Sequence, residues 1–304
     1  MVAGVAAHPA SWGVFSWNDA DPQPWPEMLD QMARAGYEGL ELGRVGYLPL
    51  DPDELAAAIG GRDLAMVGGF VVEPLAGPRR DLDDVYGKAE RLSALLAAVG
   101  ARHLVVIDAI AGSERSLTAG RSAAAERLDG RGWEELIETT SRIAAIAAGH
   151  GLTTAFHHHA GTRVEFEDEV ERLLSDTDPA HVGLCLDTGH ALYAGFDPID
   201  FYRRHPERVH YLHLKDVDGS RLAGSLAAEH DFQAAVAAGV FCPLGDGELD
   251  LGRLRAALDD GGFDGWATVE QDRLTEKEIS AEEDARTSME RLLAAGIAPG
   301  RRER

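Results

Sequence analysis

Short apolar runs alternate with longer amphipathic stretches along the whole chain. Runs at 3–8 (AGVAAH), 38–42 (EGLEL), 64–72 (LAMVGGFVV), 102–108 (RHLVVID), 152–158 (LTTAFHH), 182–187 (VGLCLD), 208–215 (RVHYLHLK) and 266–270 (WATVE) predict strands. Helical spacing predicts helices over 25–35, 53–60, 82–99, 133–149, 167–175 and 281–295. In WEELIETTSRIAAIAAG the apolar Leu136, Ile137, Ile143, Ala144 and Ala147 recur with that period, and Gly149 stands where a stop is expected. Parity within the strands separates two faces. Tyr211, His213 and Lys215 share one side and Leu212 and Leu214 the other; Cys185 and Asp187 oppose Leu184 and Leu186; Trp266, Thr268 and Glu270 oppose Ala267 and Val269.

Eight strand–helix units without a low-complexity break describe a closed α/β architecture, a (β/α)8 TIM barrel, as a single domain over 1–298 with a frayed tail at 299–304. An open doubly wound sheet is the competing arrangement. It is weakened because HPASWGVFSW, after the first strand, lacks a Gly-rich phosphate loop. Two long connections, 109–131 and 216–250, each follow a strand and so fall on the face where such barrels keep their active sites.

Composition narrows the function. Of 304 residues 45% are hydrophobic, enough for a large core, and 29 basic against 52 acidic residues leave a net charge of −23. Such a chain repels phosphate backbones, which argues against nucleic acid and anionic membranes as partners. Cys185 and Cys242, far apart, make neither a disulfide framework nor a cysteine-based zinc site. No basic-then-apolar leader and no 18-residue apolar run occur, so a cytoplasmic location is expected.

The strand ends hold the chemistry. His8 and Trp12, Glu41, Glu73, Asp108, His157 with His159, Asp187 with His190, His213 with Lys215 and Asp216, and Glu270 with Asp272 all stand at or just beyond them. Two imidazoles and two carboxylates from four successive strands, His157, Asp187, His213 and Glu270, match the ligand set of a divalent metal with open positions. Mixed nitrogen and oxygen donors suit one Mn²⁺, Co²⁺ or Zn²⁺ ion better than Ca²⁺, with Mg²⁺ admissible. Asp108 and Asp216 are candidate substrate contacts, although an acid at a strand end also serves to cap the next backbone segment. Lys215, one of only three lysines, lies two residues from His213 on the same face.

SWGV, GLELG, HHHAGTRVE, LDTGH, HLKD and VEQD occur in this order from Ser11 to Asp272. Together they resemble the xylose-isomerase-like family of sugar isomerases and epimerases, and within it the inosose (2-keto-myo-inositol) dehydratase branch. The resemblance implies a barrel with one divalent metal, to which Asp187, His213 and Glu270 match as ligands. It also implies a departure: sugar epimerases of that kind place a glutamate where this chain has His157. Glu165 is the alternative strand-five carboxylate, or an ordinary first-turn acid of the next helix.

The implied chemistry is dehydration of a small polyhydroxylated ketone, sugar or cyclitol, through an enediolate. His159, His190 and Lys215 are the candidate proton carriers, Glu41 is a substrate-bonding group or alternative base, and Trp12 is an apolar wall. An isomerase or epimerase using the same enediolate is the nearest rival. A metal-dependent endonuclease conflicts with the charge, and a non-catalytic sugar-binding barrel conflicts with the convergent polar set. Self-association into a homo-oligomer is compatible with the chain, but no seam is legible.

Overall fold

The computed structural model describes residues 2–15, 22–109, 114–274 and 279–299. Of the expected tail only Pro299 falls within them. Seven strands come first: β1 (Gly4–Ala7), β2 (Gly39–Glu41), β3 (Ala65–Glu73), β4 (His103–Asp108), β5 (Thr153–His157), β6 (Val182–Asp187) and β7 (Val209–Leu214). β10 (Trp266–Val269) completes a closed barrel in the order β1-β10-β7-β6-β5-β4-β3-β2. Each neighbouring pair is parallel. All eight expected strands form, each within a residue of its expected bounds.

The helices wrap this cylinder: α1 (Trp25–Ala35), α2 (Pro52–Gly60), α3 (Leu82–Ala98), α4 (Gly130–Gly149), α5 (Glu167–Asp176), α6 (Thr188–Ala194), α7 (Pro198–Arg204), α8 (Gly219–Ala227), α9 (Phe232–Ala237), α10 (Leu251–Asp260) and α11 (Ala281–Ala294). α4 shows how the sequence sets them. Asp129 caps its start by accepting from Gly132 N at 2.7 Å, and Trp133, Leu136, Ile143, Ala144 and Ala147 form the buried stripe. Among the described residues no helix is long and apolar enough to cross a membrane.

The outward-facing strand residues, such as Leu104, Phe156, Leu184, Leu212 and Ala267, pack against the helices in the larger apolar core. Inside the cylinder a smaller core holds Ala6, Val67, Val105, Ala155, Cys185 and Tyr211, with Trp266 at the N-terminal end. The Trp266 ring fills the floor so closely that a Cβ on Gly4 would lie 2.5 Å from it. The convergent acids and histidines of the strand ends lie toward the opposite rim.

The connection at 216–250 forms an outgrowth above that rim. β8 (Asp216–Val217) pairs antiparallel with β9 (Phe241–Cys242), and α8 and α9 lie between them. Phe232, Phe241, Tyr193 and Val217 make its own apolar cluster. Of the 109–131 connection, 110–113 lie outside the described residues.

Candidate active site

Strand parity aims four side chains at one point inside the C-terminal rim. One donor atom from each of His157, Asp187, His213 and Glu270 lies within 4.8 Å of the others. His157 Nε2 is 3.1 Å from His213 Nδ1 and 3.5 Å from Asp187 Oδ2, and His213 Nδ1 is 2.7 Å from Glu270 Oε2. His157, Asp187 and His213 are at most 1% exposed, whereas the Glu270 side chain keeps 12% exposure toward the mouth. Asp187 Oδ2 is fully buried with no hydrogen-bond partner. An orphaned buried carboxylate oxygen beside two facing imidazole nitrogens is costly unless a cation completes it, so the residues fit a divalent ion.

Glu41 lies one layer below. Its Oε1 is 2.7 Å from His213 Nε2 and accepts from Tyr211 Oη at 2.7 Å, and Tyr211 also contacts Thr268 Oγ1. Burial pushes the Glu41 carboxyl up, but the charge and hydrogen bond of His213, with His8, outweigh it and hold the group at about 2. The carboxylate orients His213 through Nε2 and turns Nδ1 toward the cluster, the support that metal-binding histidines usually have. Glu41, expected as a substrate-bonding or catalytic group, is 0% exposed and held by His213 and Tyr211.

A second group sits beside the first. Lys215 Nζ donates to Asp272 Oδ2 at 2.8 Å and lies 3.1 Å from His190 Nε2 and 3.6 Å from both Asp187 Oδ2 and Glu270 Oε2. Burial disfavours its charge, but Asp187, Asp272 and Glu270 together hold the amine well above the usual lysine range. His159 and His190 stack with ring centroids 3.7 Å apart under Phe232. Burial, reinforced by neighbouring imidazoles and Lys215, holds both well below the ordinary histidine value, so both are neutral. Nδ1 of His159 donates to the Ala160 carbonyl at 2.8 Å, which leaves Nε2 as its basic nitrogen.

LDTGH is compact for a physical reason. Asp187 Oδ1 caps α6 by accepting from His190 N at 2.8 Å, while Oδ2 faces the cluster. A Cβ on Gly189 would lie 2.5 Å from Lys215 Cγ, so only glycine lets α6 pass over the lysine stem.

Comparison with known proteins agrees with this fold. Residues 29–295 match the family model described as xylose isomerase-like TIM barrel. The chain belongs to that family. Within it, the chain is 32% identical over 249 residues to an inosose dehydratase of Geobacillus kaustophilus (strain HTA426), covering 81% of this chain and 80% of the relative. It is 33% identical over 278 residues to the rhizopine catabolism protein MocC of Rhizobium meliloti, covering 90% and 82%. A solved structure of IolI protein with a binding zinc atom superposes with a TM-score of 0.71 at 15% identity, covering 96% and 97%, and shares the fold.

Several expected residues of this xylose isomerase-like barrel lie outside the cluster. Asp108 points away from the lumen and accepts from Leu75 N and Arg163 N. Asp216 accepts from the amides of Val217, Gly245, Gly247 and Leu249, stapling the outgrowth. Trp12 packs into the outer core and donates through Nε1 to Gln31. Asp108 and Asp216 serve the scaffold, because their carboxylates are committed to backbone amides. His158 faces the helix layer, accepting from Asp187 N and lying against Phe196. His8 joins the site, 3.3 Å from Glu270 Oε1 and stacked on Phe70.

Glu165 also lies apart from the cluster. It is 0% exposed, accepts from Gly120 N at 2.6 Å and pairs with Arg115 at 3.2 Å, while Arg115 also holds Glu169. Burial outweighs these partners and pushes the Glu165 carboxyl from 4.5 up to about 7. A raised carboxyl binds its proton more tightly in the folded chain, so it supports folding at low pH and loses that support as pH rises through about 7. Glu165→Gln is therefore expected to flatten the stability profile between about pH 4.5 and 7, a range over which wild type loses roughly 3 kcal/mol from this group. Urea midpoints across that range are the check, and an unchanged slope would refute the assignment.

Proposed function

We propose that this enzyme is a metal-dependent dehydratase of a small polyhydroxylated ketone, with 2-keto-myo-inositol as the best candidate substrate. The observation that carries the reading is the convergence of His157, Asp187, His213 and Glu270 beside His159, His190 and Lys215. The relatives named inosose dehydratase and the zinc in IolI support it. His157, Asp187, His213 and Glu270 would hold one Mn²⁺, Co²⁺ or Zn²⁺ ion, or Mg²⁺. Bound there, the ion supplies Lewis acidity toward a ketone oxygen and positive charge where negative charge develops.

The protein's own groups do the rest. Nε2 of His159 takes the proton α to the carbonyl. Lys215, through its ammonium, gives a proton to the departing β-hydroxyl, so the C–O bond breaks with release of water. Asp272 and His190 hold that ammonium in place, and Phe232 excludes solvent from the imidazole pair. The dehydratase reading is favoured over a two-glutamate epimerase because an imidazole fills the strand-five position. The nearby carboxylate, Glu165, is committed to Arg115.

Chelator treatment is expected to abolish turnover of 2-keto-myo-inositol, and a single divalent ion to restore it. Product mass must fall by one water; a product of unchanged mass would establish the isomerase instead. A metal-replete protein inert on that ketone would overturn the substrate assignment.

A further inference from the structure

The surroundings of Lys215 have the character of a cation site. Four acceptors, three carboxylates and an imidazole, surround Nζ at 2.8 to 3.6 Å, and the Phe241 ring lies 5.1 Å away. Independently, donor atoms of His159, His190 and Asp272 all lie within 4.8 Å of one another, a second group able to hold a metal. This group and the first meet at the ammonium, since Asp187 and Glu270 reach Lys215 from one side and Asp272 and His190 from the other.

We propose that Lys215 occupies the second cation position of a two-metal scaffold, and thereby holds this barrel to one divalent ion. Charge favours that arrangement. One ammonium and one divalent ion match the three carboxylates, whereas a second divalent ion beside the lysine would leave buried positive charge uncompensated. Geometry agrees, because the lysine is 0% exposed and its stem is clamped by Gly189. The consequence is chemical. Paired divalent ions are the arrangement of hydrolytic centres, and an ammonium in the second position leaves room for only one. The inference rests on the first metal site of the preceding section.

Metal stoichiometry tests it. Chelator-stripped protein is loaded with excess Mn²⁺, freed of unbound ion and measured by elemental analysis and electron paramagnetic resonance. Wild type is expected to hold one equivalent with an isolated-ion spectrum. Lys215→Met and Lys215→Gln, confirmed folded by circular dichroism, are expected to hold two equivalents with a spin-coupled spectrum. Adding Asp272→Asn returns the count to one. Two equivalents in wild type, or one in both folded lysine variants, would overturn the inference while leaving the first site intact. No bound ion in wild type would instead overturn the metal centre itself.

Discussion

Asp187→Asn is expected to lower kcat by about a hundredfold or more and to weaken metal retention, with little change in the folded state. The two oxygens of this carboxylate have separate duties. Oδ1 caps α6, and an asparagine oxygen caps a helix as well as aspartate does. Oδ2, buried and without a hydrogen-bond partner, would become an amide NH₂ aimed at His157 and Lys215. A donor facing donors repels, and the ion loses one of its two anionic ligands there. Loss of stabilised charge of this kind costs at least about 10² in rate. Turnover, metal content and a thermal melt together check it. Wild-type turnover would refute the role of Asp187, and a collapsed melt would show that the cap, not the ligand, dominates.

Arg115→Leu is expected to cause the largest stability loss of any single substitution considered, about 3–5 kcal/mol. Arg115 is 3% exposed and lies between Glu165 and Glu169, both buried, while one amine also reaches the Glu126 carbonyl. Removing it leaves two acids without their cation in a low-dielectric interior. Glu169 accepts from the amides of Glu165 and Phe166 and keeps part of its support, while Glu165 keeps the Gly120 amide. Glu165, already raised to about 7, takes up a proton when the guanidinium is lost, so the penalty rests on Glu169 and should shrink as the pH falls and that carboxylate protonates. Denaturant unfolding at pH 7 and pH 5 reads both parts. A loss below 1 kcal/mol at pH 7 would mean that the pair is solvated.

Much of the site is legible from strand parity. A period of two, applied to short strands with one polar face, already separates Tyr211, His213 and Lys215 from Leu212 and Leu214. Parallel closure then carries His157, Asp187, His213 and Glu270 to the same rim. Partnership is a different matter. Glu41 and His213 are 172 residues apart, and only the closed barrel shows that one orients the other. Asp108 and Asp216 illustrate the converse. An acid at a strand end has the same local signature whether it faces a substrate or a row of backbone amides. In strand four the alternation already turns Asp108 outward, opposite to Val105 and Ile107. The short α6 and the two-residue strands β8 and β9 escape periodicity because seven or two residues complete too few repeats to show one.

The tryptophan at the base of the cylinder has a kinetic corollary. With Trp266 pressed against Gly4 at one end, ion, substrate and water share a single portal at the other. His157, Asp187 and His213 are almost wholly covered, so an ion held by them would lie at the inner end of that portal with the ketone on its outward side. Loading would then be compulsory-order: the ion enters first, and bound substrate closes the way behind it. Ion exchange should therefore slow in the presence of substrate, and a chelator should strip the idle enzyme faster than the working one.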